Sequence, residues 1–151
     1  DENTVLEVWA DGCALSNGLF GARAGVGVYF REDDPRNLSE PLSGYQQTNQ
    51  RAELTAILRA LEVIDDPGRH VRITTDSQYA IKCLTVWKDK WLQNGFINSK
   101  GLEVVNSDII KEILELMASH RENRGYVELE HVYGHSGNVG NEVADALAKA
   151  G

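Results

Sequence analysis

The chain has 151 residues, 42% of them hydrophobic, enough for one sizeable core and most simply a single domain over residues 1–151. A net charge of −8 argues against a generally basic nucleic-acid-binding surface, and no apolar run is long enough for a signal peptide or a membrane span. Beginning at Asp1, the sequence reads as an excised soluble domain without its targeting segment, and Cys13 and Cys83, far apart and outside any Cys-x-x-Cys, read as buried free thiols of a reducing compartment.

Val5 to Ala10 is rich in β-formers and is expected to end at a turn, Asp11-Gly12. A loop over 13–24 leads to a second strand, Gly25 to Phe30, and Asp33-Asp34-Pro35 turns the chain into a weaker strand, Leu38 to Tyr45, whose Pro41 suits a sheet edge. From Thr48 or Asn49 a helix carries Leu54, Ile57, Leu58, Leu61 and Ile64 on one apolar stripe. At ~100° per residue Glu53 falls roughly 75° from the centre of that stripe, at its shoulder beside Ala56 and Ala60. Alone it reads as an ordinary acid near a helix N-terminus; other acids brought to the same place would change that.

Val71 to Thr75 is a short strand ending at Asp76, followed by a helix over Ser77 to Leu84 and by Trp87-Lys-Asp-Lys-Trp91, whose tryptophans share one helix face with lysines around them. Ser107 to His120 is amphipathic, with Ile109, Ile110, Ile113, Leu116 and Met117 inward. Tyr126 to Val132 is the fifth strand. The loop Gly134-His135-Ser136-Gly137 then leads into a helix from about Gly140 to Ala150, with Val143, Leu147 and Ala150 as its apolar side. Three early strands on short loops predict a meander, and the later strand-helix-strand crossovers predict parallel pairing, hence an α/β fold with a mixed sheet.

Asp11 and Asp76 are expected at strand ends on one sheet edge, with Glu53 and Asp145 on helices that can face it. Four unpaired carboxylates ~4 Å apart would repel by several kcal/mol per pair at an effective dielectric near 20, so such a cluster needs protons or metal. Oxygen-only ligands favour magnesium or manganese, and a pair of such ions can clamp the attacking and leaving oxygens of an in-line phosphoryl displacement.

Asp11-Gly-Cys followed by Ser-Asn-Gly, Thr48-Asn-Gln-Arg-Ala-Glu53, Thr75-Asp76-Ser, Gly134-His-Ser-Gly and Gly140-Asn-Glu-x-Ala-Asp145 resemble, in order, the motifs of type 1 ribonuclease H in its eukaryotic-like form. Five motifs in series are specific where any one would be weak. The resemblance implies a ribonuclease H-like fold, a mixed five-stranded sheet with helices on both faces, and two-metal hydrolysis of the RNA strand of RNA–DNA hybrids, giving 5′-phosphate and 3′-hydroxyl ends. It implies Asp11 as the bridge between two Mg2+ ions, with Mn2+ as a substitute, Glu53 and Asp76 on one ion and Asp145 on the other. It makes His135 a mobile loop histidine that helps proton movement or product release, and Glu142 an acid supporting the site from one turn before Asp145.

For substrate, the resemblance implies Asn17, Asn49 and Gln50 in the minor groove, Thr48 and Asn106 on a DNA phosphate, and Tyr79, Trp87 and Trp91 along the DNA channel. Aromatics among lysines suit a deoxyribose backbone, yet a Trp-x-x-x-Trp pair equally suits a core. Gln46 departs from the family, many of whose members carry a basic residue there. The expected partner is the hybrid duplex, with no membrane, a monomeric state and an intracellular setting, nucleus or mitochondrion in a eukaryote. Two other readings are a resolvase or strand-transfer relative, disfavoured by Asn17 and the Asn49-Gln50 pair, and a non-catalytic hybrid-binding module, disfavoured by the presence of all four acids.

Overall fold

A computed structural model describes residues 4–15, 23–134 and 137–151. Strands β1 (Leu6–Leu15), β2 (Arg23–Tyr29) and β3 (Leu38–Pro41) form the antiparallel meander, and β4 (His70–Thr75) and β5 (Tyr126–His131) add in parallel, giving the order β3-β2-β1-β4-β5. Between and after them run α1 (Asn49–Glu62), α2 (Gln78–Thr85), α3 (Lys88–Asn94), α4 (Ser107–Glu122) and α5 (Val139–Ala150). The mixed five-stranded sheet and its α/β class are as the pattern predicts, and β3 is an edge strand as expected, but it stops at Pro41 and does not run on to Tyr45.

α1 starts where Thr48 Oγ1 accepts the Arg51 N–H at 3.2 Å, an ordinary N-cap. Leu54, Ile57 and Leu61 are buried against β1 and β2, each stabilising the fold by roughly 1.5–3 kcal/mol. Ala52, Ala56 and Ala60 are fully buried too, so the helix lies close to the sheet and Glu53 stays half-buried at its margin.

β1 does not turn at Asp11-Gly12 but continues to Leu15 on β2. Gly12 is small for another reason: a Cβ there would lie 2.2 Å from the carbonyl carbon of Ala52, so the glycine admits α1 rather than bending the strand. The parallel pairing with β4 runs as far as Trp9 opposite Thr74, and the same offset sets Asp11 level with Asp76, where the sheet begins to part.

The apolar side of α5 also differs from expectation. Ala144 and Ala148, with Gly140 and Asn141, are buried, whereas Val143 and Leu147 are half-buried and Ala150 is exposed. The cause is close contact on the other face of the sheet. A Cβ on Gly27 would lie 2.3 Å from the Ala144 carbonyl oxygen, one on Gly25 would lie 1.9 Å from that of Ala148, and one on Gly140 would overlap the Trp9 ring. Only small residues fit such an approach, so bulky ones are displaced to the flanks. Helices α1 and α5 thus cover opposite faces of β1 and β2.

Candidate active site

Asp11 lies inside β1 on the face that α5 covers and is only 3% exposed. Asp76 follows the last residue of β4, Glu53 is in the second turn of α1, and Asp145 is midway along α5. The four predicted acids therefore arrive from four elements, two strands and the helices on either face. Their convergence shows in the electrostatics: burial first, then Asp76, a hydrogen bond with the Asp145 carboxyl, and Glu53 push Asp11 up to about 9. Glu53 is pushed up to about 7, chiefly by burial and by Asp76, against a hydrogen bond from the Ser77 hydroxyl that works the other way.

Among the described residues no three of these acids close into a preformed metal cage. The donor set nevertheless fits a hard divalent cation: it is all oxygen, and its buried carboxyls hold protons that a dication would displace. Lys149 Nζ lies 2.9 Å from Asp145 Oδ2 one helical turn on, a pair not among the predicted site residues although its i,i+4 spacing is visible in the sequence. Ser77, which also caps α2 through the Ala80 N–H at 3.0 Å, was likewise missed. A hydroxyl directly after Asp76 and at a helix start was the available signal.

Glu142 is exposed in the first turn of α5. His135 and Asn17 lie outside the described residues. At the start of α1, Asn49 Oδ1 accepts the Ala14 N–H at 2.7 Å, which ties the helix to the end of β1, and Gln50 is exposed beside it. Asn106 is buried in a left-handed conformation (φ 65°), with Oδ1 accepting from Arg51 at 3.2 Å and Nδ2 donating to the Tyr79 hydroxyl at 3.2 Å. Arg51 in turn makes a double hydrogen bond to Asp108 at 3.1 and 2.7 Å. Arg51, Asn106 and Gln46 line one open cleft of about 560 Å³.

Tyr79, Trp87, Trp91 and Phe96 form an aromatic row with centroid separations of 6.2, 5.9 and 6.0 Å. The tryptophan pair divides between the two roles left open by its spacing. Trp91 is half-buried against the core, whereas Trp87 is 38% exposed.

Residues 3–151 match the family model described as RNase H. The chain belongs to the ribonuclease H family. It is 48% identical over 144 residues to "Ribonuclease H" of Schizosaccharomyces pombe, a match covering 95% of this chain and 52% of that one. It is 40% identical over 146 residues to "Ribonuclease H1" of Homo sapiens, covering 95% and 49%. These similarities put this ribonuclease H chain on the type 1 branch, and it spans about half the length of those two relatives. Among solved structures, a foamy viral protease-reverse transcriptase in complex with RNA/DNA hybrid aligns with a TM-score of 0.75 at 25% identity, covering 96% of this ribonuclease H chain and 19% of the viral one.

Proposed function

We propose that this chain is a single catalytic domain that hydrolyses the RNA strand of RNA–DNA hybrids with two bound Mg2+ ions, leaving 5′-phosphate and 3′-hydroxyl ends. The observation that carries the proposal is the crowding of Glu53, Asp76 and Asp145 about the buried carboxyl of Asp11 in a chain of this family. Asp11 would touch both ions, Glu53 and Asp76 one of them, and Asp145 the other. Bound there, the ions would lower the pKa of the attacking water and neutralise charge on the departing 3′-oxygen.

The chain's own groups do the positioning. Ser77 orients Glu53 by donating to its carboxylate. The hydrogen bond from the Ala14 N–H to the Asn49 side-chain Oδ1 holds the start of α1 against β1, so that Asn49 and Gln50 meet the minor groove at a constant offset from Glu53. Asn106 is pre-oriented by Arg51 and Tyr79 for a DNA phosphate together with Thr48, and with Gln46 in place of a base the cation lining that cleft is Arg51, which is paired with Asp108. Trp87 and Tyr79 offer apolar edges to the deoxyribose strand, with Trp91 supporting them from behind. His135 would help proton movement or product release, and Glu142 would support the site from one turn before Asp145.

The foamy viral protein's complex with hybrid supports this choice of substrate, and Mn2+ is expected to replace Mg2+. No helix among the described residues is long and apolar enough to cross a membrane, and the free thiols Cys13 and Cys83 suit a reducing nuclear or mitochondrial setting for a monomer. The test is one assay on an end-labelled hybrid with and without chelator. The RNA strand is expected to be cut only when Mg2+ is available, with duplex RNA and duplex DNA left intact; comparable rates on duplex RNA would overturn the substrate reading.

A further inference from the structure

Away from the acids, α3 and α4 leave a groove of about 330 Å³ between them. Phe96, Leu114 and Met117 contribute apolar lining, and Leu92 on the α3 side stays 59% exposed. No residue of α3 is fully buried. Phe96 is held at φ 62°, a region bulky residues rarely enter, by its N–H donating to the Trp91 carbonyl at 2.8 Å and its own carbonyl accepting from Val104 at 2.8 Å.

Its charges are arranged against the sign of the molecule. The α4 positions 111, 114, 115, 118 and 121 fall on one helix face, which sets Lys111 and Arg121 at the two ends of an apolar stretch, ~15 Å apart at 1.5 Å per residue. Lys88 closes the α3 side already paired with Asp89 at 2.9 Å, and Glu115 is the single acid of the lining, so Lys111 and Arg121 are the two cations set against it, in a chain of net charge −8. Lys111 Nζ sits 5.0 Å above the Phe96 ring, at the boundary between the charged rim and the apolar lining.

We propose that this groove docks a short acidic segment of a partner protein, with bulky apolar side chains between carboxylates about 15 Å apart. The apolar side chains fill the space along Leu92, Leu114 and Ala118, and the carboxylates meet Lys111 and Arg121 at the rim, where charge sets specificity and on-rate. Nucleic acid fits less well: Lys111 and Arg121 can each meet a phosphate, but Phe96 is 4% exposed and offers no face for a base, and the stretch between the two cations is lined by Leu92, Leu114 and Ala118, which suit apolar side chains and not a sugar-phosphate backbone. The groove's small volume holds two or three side chains, the scale of a transient encounter.

The test is selection from a random displayed peptide library on the intact chain, with the double variant Lys111→Glu/Arg121→Glu as counter-target, followed by fluorescence polarisation with the selected peptides. The expected winners carry Asp or Glu on both sides of Leu, Ile or Phe. They bind the double variant at least tenfold more weakly and recover when their acids are replaced by lysine, while Leu92→Ser weakens them several-fold. Hybrid cleavage by the double variant stays at the parent rate. The proposal is overturned if no peptide is enriched over a bare-surface control, if the enriched peptides bind parent and double variant equally, or if a single-stranded DNA oligonucleotide shows the Lys111 and Arg121 dependence that the peptides lack.

Discussion

Asp11 keeps a proton in the folded chain at neutral pH that the unfolded chain gives up, because burial and three neighbouring carboxyls raise it to about 9. The residue therefore destabilises the metal-free fold at the place where the proposed reaction needs it. Asp11→Asn keeps the shape, removes the ionisable group and leaves an amide that can donate to Asp145. It is expected to lower hybrid cleavage by about three orders of magnitude or more, while raising metal-free stability at neutral pH by about 1–2 kcal/mol. At roughly 2–4 °C per kcal/mol for a chain this long, a melting curve in chelator resolves the gain. Activity retained in the purified variant would remove Asp11 from the reacting site.

At the scale of elements, the two helices that bring acids to Asp11 are held by backbone proximity. Gly12 lets α1 down onto one face of β1, and Gly25 and Gly27 let α5 down onto the other. Gly27→Ala would drive a methyl to within 2.3 Å of the Ala144 carbonyl oxygen, one residue from Asp145. Since that neighbour is backbone, relief requires α5 to shift as a unit. The expected cost is about 2–3 kcal/mol of stability, with a larger proportional loss of turnover than of hybrid affinity, because Asp145 moves while the start of α1 does not. Denaturant unfolding with parallel rate and binding measurements separates the two; an affinity loss equal to the rate loss would show that α5 supports substrate binding as much as chemistry.

For the molecule as a whole, stability against pH is a contest between two groups of acids. The folded values of Asp11 and Glu53, about 9 and about 7, lie above 3.8 and 4.5, so their contribution is fully present below pH ~4 and is lost as pH rises through 7 and then 9. Asp34 runs the other way: hydrogen bonds from Arg36 hold it down to about 2, so its contribution is present above pH ~4 and is lost as pH falls through 2. Glu40 beside Arg59 and Asp108 beside Arg51 are lowered in the same sense as Asp34. The metal-free chain is therefore expected to melt highest near pH 4–5 and progressively lower toward pH 9, with millimolar Mg2+ recovering most of the alkaline loss. A melting temperature that rises from pH 5 to 9 in chelator would contradict the crowding of the acids.

The sequence by itself determined the order of elements, the mixed sheet with its edge strand and the stripe of α1, and it singled out the four acids proposed for the site, because hydrophobic period, turn residues and motif spacing are local properties of the chain. Only the tertiary structure decided that β1 runs through Asp11-Gly12, since a glycine that admits a helix and one that makes a turn look alike until the helix is in place. It likewise decided that α5 turns Ala144 and Ala148 inward, that Trp91 faces the core while Trp87 stays outside, and that Asn49 and Asn106 are held by Ala14, Arg51 and Tyr79. The reason is common to all of them: each depends on the distance between backbones from separate parts of the chain, which no window of neighbouring residues contains.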